Sequence, residues 1–159
     1  MKLPIFLILS LLTLSSSLPI PKDDDFQELL PFIPTELMNF WGSMTMEEAN
    51  YIANFYVKLQ TEEAPLKTLT AISEFNHSLY ERFTNLIDLV YKKMTHLSSA
   101  SKAFLGRIGE SALTIEPGSK GQVRRWIDHA KEEAKALDKK HKQEISEAFP
   151  TLRKLFEDE

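Results

Sequence analysis

The stretch SLYERFTNLIDLVYKKMTHL, residues 78–97, decides the fold class. Leu79, Phe83, Leu86, Val90, Met94 and Leu97 recur at intervals of three and four, which gathers side chains on one face of a helix. Ile87 and Tyr91 widen that face beyond the stripe a helix packed on one side needs. Ser78-Leu79-Tyr80-Glu81 has the form of a capping box, in which Ser and Glu each satisfy the other's backbone N–H. The pattern predicts one long helix over 79–97, opened at Ser78.

The same period extends in both directions. Upstream, Thr45-Met46-Glu47-Glu48 is a second capping box, opening a helix over 45–60 with Ile52, Phe55, Tyr56 and Leu59 on one face. Leu66, Leu69, Ile72 and Phe75 predict a shorter helix over 66–75. Two short helices are expected over 25–30 and 34–41. Asp23-Asp24-Asp25 supplies negative charge at the first, and Pro34 fits the first turn of the second. Downstream, Ser98 to Ser101 supply caps, and Phe104, Leu105, Ile108, Ala112 and Ile115 continue the pattern. Gly106 and Gly109 inside that helix each cost about 1 kcal/mol against Ala, marking a bend or a close helix contact. Pro117-Gly118 ends it. Over 119–137, Val123, Trp126, Ile127, Ala130, Ala134 and Leu137 form a narrow stripe opposite a charged face. Ile145, Phe149, Leu152, Leu155 and Phe156 mark the last segment, 140–156. No stretch alternates with period two. The expectation is an all-α single compact domain of about seven to nine helices of unequal length, without a fixed-period repeat.

The start of the chain reads differently. Met1-Lys2 is followed by nine Leu, Ile or Phe in the twelve positions 3–14, then Ser15-Ser16-Ser17. This has the form of a secretory signal peptide, residues 1–17, cleaved after Ser17. Twelve residues rise about 18 Å as a helix, short of the roughly 30 Å hydrocarbon core, which disfavours a membrane anchor. Residues 18–159 would form the mature domain, secreted and extracellular, with 18 basic and 23 acidic side chains and a net charge of −5. That acidity argues against nucleic-acid binding. The absence of cysteine removes disulfides, thiolate metal sites and Cys nucleophiles together, leaving packing to hold the domain.

Little catalytic chemistry is visible. His77, His96, His129 and His141 form no metal-binding spacing, and no nucleophile elbow is present. No metal, cofactor or enzymatic activity is expected. Acidic pairs such as Glu47-Glu48 and Glu132-Glu133 read as helix surface. Asn76-His77-Ser78 is either a glycosylation sequon or a helix cap at Asn76. The basic run from Arg124 to Lys142 is interleaved with acids, as on a solvated face. Nine Phe, four Tyr and two Trp remain beyond the leader. They build either a dense core, as in a secreted helical protein-interaction module, or the wall of an apolar ligand cavity.

The order of motifs resembles the nematode fatty-acid- and retinol-binding protein family. Pro34-x-Glu36-Leu37 with Met44-Thr45-x-Glu47-Glu48 is similar to the family's early Pro-x-Glu and Leu-Thr-x-Glu-Glu pattern. Ser78 to Arg82 resembles the opening of its longest helix, and Leu97-Ser98 with Ala103-Phe104 a following step. Phe149-Pro150-x-Leu152-x-x-x-Phe156 resembles its closing segment. The likeness spans about residues 24–157. It implies a helical domain around an apolar cavity that carries fatty acids, retinol and similar lipids without chemistry, as a monomer, with transient membrane contact during transfer. The expected lining is Leu79, Phe83, Leu86, Ile87 and Val90 on the long helix, with Phe104 and Ile108. Phe55, Leu59, Ile72, Trp126 and Ile127 complete it. Arg82, Lys93, Arg107 and Arg125 lie beside apolar positions and are candidates to meet a ligand head group at a portal. Thr45 also matches a kinase-type acidic motif of the family, and phosphorylation there stands beside its capping role.

Overall fold

The computed structural model describes residues 24–59, 65–112, 115 and 121–157. The expected leader and Pro117-Gly118 lie outside them. The described residues form eight α-helices: α1 (Asp24–Leu29), α2 (Thr35–Gly42), α3 (Met46–Leu59), α4 (Pro65–Phe75), α5 (His77–Thr95), α6 (Ser99–Ala112), α7 (Gln122–Lys135) and α8 (Lys139–Ala148). Two 3-10 turns, Leu30–Phe32 and Pro150–Leu155, follow α1 and α8. The chain is therefore all-α, as the periodicity required. None of the described helices is long and apolar enough to cross a membrane.

Helix α5 buries Leu79, Phe83, Leu86, Val90 and Met94, the row read from the sequence. It starts earlier than expected, and the Ser78 capping box does not form. Asn76 is the cap instead: its backbone is extended, and its Oδ1 accepts the Leu79 N–H at 3.1 Å. Glu81 faces His77 one turn back, at 3.6 Å. With one residue between α4 and α5, the two helices fold into a hairpin and pack along each other. Across α3 and α4, Tyr51 stacks on Phe75 at 3.8 Å and donates its hydroxyl to the Ala71 carbonyl at 2.9 Å.

Helix α2 also packs on α5. It runs antiparallel, because Glu36 reaches Lys93 while Ser43 reaches Arg82. Phe40 meets Phe83 between those ends, ring centres 5.8 Å apart. On the other side of the core, α6 packs against α7 and α8, and α1 lies on α7. Gly106 and Gly109 are buried within an unbroken α6. Gly121 opens α7 at φ 76°, a left-handed conformation that costs glycine little. Pro150 stops α8 and turns the expected last helix into a 3-10 segment that buries Leu152 and Leu155.

Glu144 ties α8 to the start of α6, accepting from the Ser98 N–H (3.1 Å) and the buried Ser101 hydroxyl (2.8 Å). Hydrogen bonds from Ser98 first, then Ser101, hold the Glu144 carboxyl at about 2, below its ordinary value. A depressed carboxyl stabilises the fold above its unfolded pKa of about 4.3, and that contribution fades as pH falls toward 2. The melting-temperature gap between wild type and Glu144→Ala is therefore expected to be widest near neutral pH and to narrow between about pH 4 and 2. Thermal unfolding followed by circular dichroism at stepped pH measures it. A gap independent of pH would mean that the carboxylate does not hold these bonds.

Candidate functional site

Among the described residues, the expected lining residues gather in one buried apolar cluster. Leu79, Phe83 and Phe104 have no accessible surface, and Ile72, Val90 and Ile108 have 1 to 2%. A water-sized sphere does not touch the first three in this conformation. Leu86, Trp126 and Ile127 are buried with slightly more surface, and Ile87 is half-buried at the margin. Phe55 and Leu59 fall on α3, with side chains outside the described set.

Three of the four head-group candidates are already engaged by carboxylates. Arg82 donates to Glu48 Oε1 at 2.5 Å and to the Ser43 carbonyl at 2.7 Å. Glu48 is 3% exposed, contrary to its reading as a surface acid. Its second oxygen accepts the Thr45 N–H at 2.8 Å, while Thr45 Oγ1 accepts the Glu48 N–H at 3.2 Å, completing the predicted capping box. Asn76 Nδ2 donates to Glu48 Oε1 at 3.1 Å. The sequon nitrogen thus faces a buried carboxylate while the sequon oxygen caps α5. One carboxylate joins the start of α3, the α4–α5 corner and the flank of α5.

Lys93 makes a similar clasp at the other end of α2. Its ammonium pairs with the mostly buried Glu36, donates to the Ala148 carbonyl at 2.9 Å, and lies 5.4 Å from the Phe149 ring centre. Arg107 on α6 bonds Glu133 on α7 at 2.7 Å, and His129 stands 3.7 Å from the same carboxylate. Glu133 is accordingly half-buried and paired, whereas Glu132 is exposed.

Arg125 differs. Among the described residues its guanidinium has no carboxylate partner, and it overhangs an open cleft of about 350 Å³. Ser111, Ile115, Gln122, Trp126 and His129 line the rest. The volume is at the low end of the roughly 300–1,000 Å³ usual for ligand pockets. Trp126 forms the inner wall; its indole N–H is spent on the Ile108 carbonyl (2.9 Å) and Ser111 Oγ (3.1 Å), so it offers a ligand apolar surface. The cleft combines a cation, an imidazole and an aromatic wall leading toward the core. Periodicity named Arg125 and Trp126 separately. Ser111, Gln122 and His129 were missed, and only their helical spacing around those two could have found them. No group of His, Asp and Glu side chains among the described residues is arranged to hold a metal ion.

Residues 26–159 match the model of a family described as nematode fatty acid retinoid binding protein (Gp-FAR-1). Over 155 residues the chain is 26% identical to fatty-acid and retinol-binding protein 1 of Wuchereria bancrofti, covering 92% of this chain and 85% of that protein. The proteins of the same name from Brugia pahangi and Loa loa are each 24% identical over the same shares of both chains. No solved structure matches significantly. The family model spans both halves of the core and all the polar clasps described above, and this chain belongs to the nematode fatty acid retinoid binding protein family.

Proposed function

We propose that the protein is a secreted carrier of fatty acids and retinol, with residues 1–17 as its signal peptide, that binds and releases these lipids without altering them. The observation that carries this reading is the family match across 26–159, joined to relatives whose names state both ligands. The alkyl or isoprenoid chain would be buried among the apolar faces of α5, α6 and α7. Each CH₂ removed from water contributes about 0.8 kcal/mol, so a long chain supplies ample affinity without polar anchors. A carboxylate cannot follow it inside unpaired, and Arg125 at the cleft is the proposed head-group contact.

One expected result tests the site. In a Trp41→Phe background, Trp126 is the remaining Trp donor. Retinol added to this variant should quench its emission saturably, and oleate should reverse the effect. Arg125→Ala should weaken oleate by up to about fivefold, the range of an exposed charge contact, and leave retinol nearly unchanged. Quenching that never saturates, or that oleate cannot reverse, would mean adsorption rather than a shared site. It would favour the other reading, a filled-core interaction protein, which draws support from the inaccessibility of Leu79, Phe83 and Phe104.

A further inference from the structure

The helices pair into two groups. In the first, α2 and α4 each pack along α5, and Tyr51 of α3 stacks on Phe75 of α4. In the second, α1 lies on α7, and α6 packs against α7 and α8. The C-terminal 3-10 turn joins that group, against α7, α8 and the Leu30–Phe32 turn. The bonds of Glu48 stay within the first group, those of Glu133 and Glu144 within the second. Among the described residues, the backbones of α5 and α6 do not pair as closely as these. Phe83 and Val90 of α5 share one buried apolar cluster with Phe104 and Ile108 of α6, so side-chain packing joins the groups.

The chain passes between the groups twice, at 33–34 and at 96–98. Ile33, Pro34 and Leu97 are buried, which anchors both passages. Lys93 stands between them. Glu36, two residues after the first passage, pairs with the Lys93 ammonium, three residues before the second. The same ammonium reaches the second group, donating to the Ala148 carbonyl at 2.9 Å beside the Phe149 ring. From this end α5 and α6 both run outward. Leu79 lies fourteen residues from Lys93, about 21 Å along the helix. Ser111, near the far end of α6, lines the Arg125 cleft.

We propose that the two groups open as a hinge about the Lys93 end, and that the lipid enters between the far ends of α5 and α6. The inference rests on the carrier reading and adds how a chain reaches the interior. Leu79, Phe83 and Phe104 have no accessible surface, so a ligand reaches them only when helices move apart. Turning about the two passages and Lys93 keeps the bonds of Glu48, Glu133, Glu144 and Lys93 intact. What it breaks is apolar contact, which the entering chain replaces. A turn of about 15° moves a point about 21 Å from the pivot by about 5 Å, room for one layer of carbons at their roughly 4 Å contact distance. A chain entering at that end leaves its carboxylate by Arg125, the head-group contact already proposed.

The test is a pair of distances. The chain has no cysteine, so spin labels can be attached at two chosen positions by double substitution. Glu81→Cys/Glu110→Cys spans the far ends of α5 and α6, and Lys92→Cys/Glu147→Cys spans the pivot; all four positions are exposed. Displacement of a fluorescent fatty acid measures oleate binding to wild type and to each labelled chain. Pulsed electron paramagnetic resonance then gives each distance with and without oleate. Saturating oleate should lengthen the first distance by about 4 Å or more and the second by less than about 2 Å. Bound oleate with neither distance changed would overturn the hinge and leave the carrier reading standing. Equal lengthening of both pairs, or lengthening of the pivot pair alone, would also overturn it, because the groups would then part somewhere other than the proposed mouth. If wild type binds no oleate, the carrier reading falls and the hinge falls with it.

Discussion

Glu48→Ala is expected to lower stability by about 3 kcal/mol, roughly a 10 °C fall in melting temperature for a domain of this size. The carboxylate is 3% exposed and accepts from Thr45, Asn76 and Arg82, so its removal leaves three donors without their acceptor. Two are backbone or amide N–H groups; the third is a guanidinium whose side chain keeps 29% of its exposure and can partly rehydrate. That residual exposure sets the estimate at the lower end of the 3–5 kcal/mol typical for breaking a buried pair. Glu48→Gln retains one acceptor oxygen and should cost less. Glu48→Ala/Arg82→Ala should be less destabilised than the sum of its singles, by more than about 1 kcal/mol, because no uncompensated charge remains. Urea unfolding of the four chains measures this cycle. A Glu48→Ala variant within about 0.5 kcal/mol of wild type would return Glu48 to the ordinary surface class.

The helices were legible because their apolar residues repeat locally. The row from Leu79 to Met94 and the stripe from Val123 to Ala134 appear in the structure as read, since burial on one side imposes that period. Caps were legible where both partners lie within four residues, as at Thr45 and Glu48. At α5 two caps competed, and Asn76 prevailed over Ser78 because its amide also reaches Glu48, a contact across 28 positions that no local pattern contains. Arg82 and Lys93 were correctly placed beside the apolar row. Their partners, 34 and 57 residues away, depend on how α2 and α3 dock and were invisible to periodicity. The head-group candidates were therefore equivalent in the sequence, and only tertiary structure separates Arg125 from three paired cations.

Phe83→Ala is the variant on which the ligand-site proposal turns. The ring has no accessible surface and packs on Phe40, so truncation should cost about 3–5 kcal/mol and lower the melting temperature by about 10 °C or more. That loss alone fits any well-packed core. The second readout is affinity for a fluorescent fatty acid, measured well below the melting temperature. Since no water-sized space reaches Phe83, a bound chain can touch it only if the helices around it part. Part of the binding energy then opens the core, and a ring on the opened wall contributes to what remains. Ile145→Ala on α8 is the control, equally buried but outside the proposed wall. It should lose stability by about 2–4 kcal/mol and keep its affinity. Phe83→Ala should lose both, with affinity down by at least about tenfold for the apolar contact removed. If both variants bind equally well, Phe83 is core only and the lipid lodges at the Arg125–Trp126 cleft. If both lose affinity to the same degree, the loss follows from unfolding and the interior carries no ligand wall at Phe83.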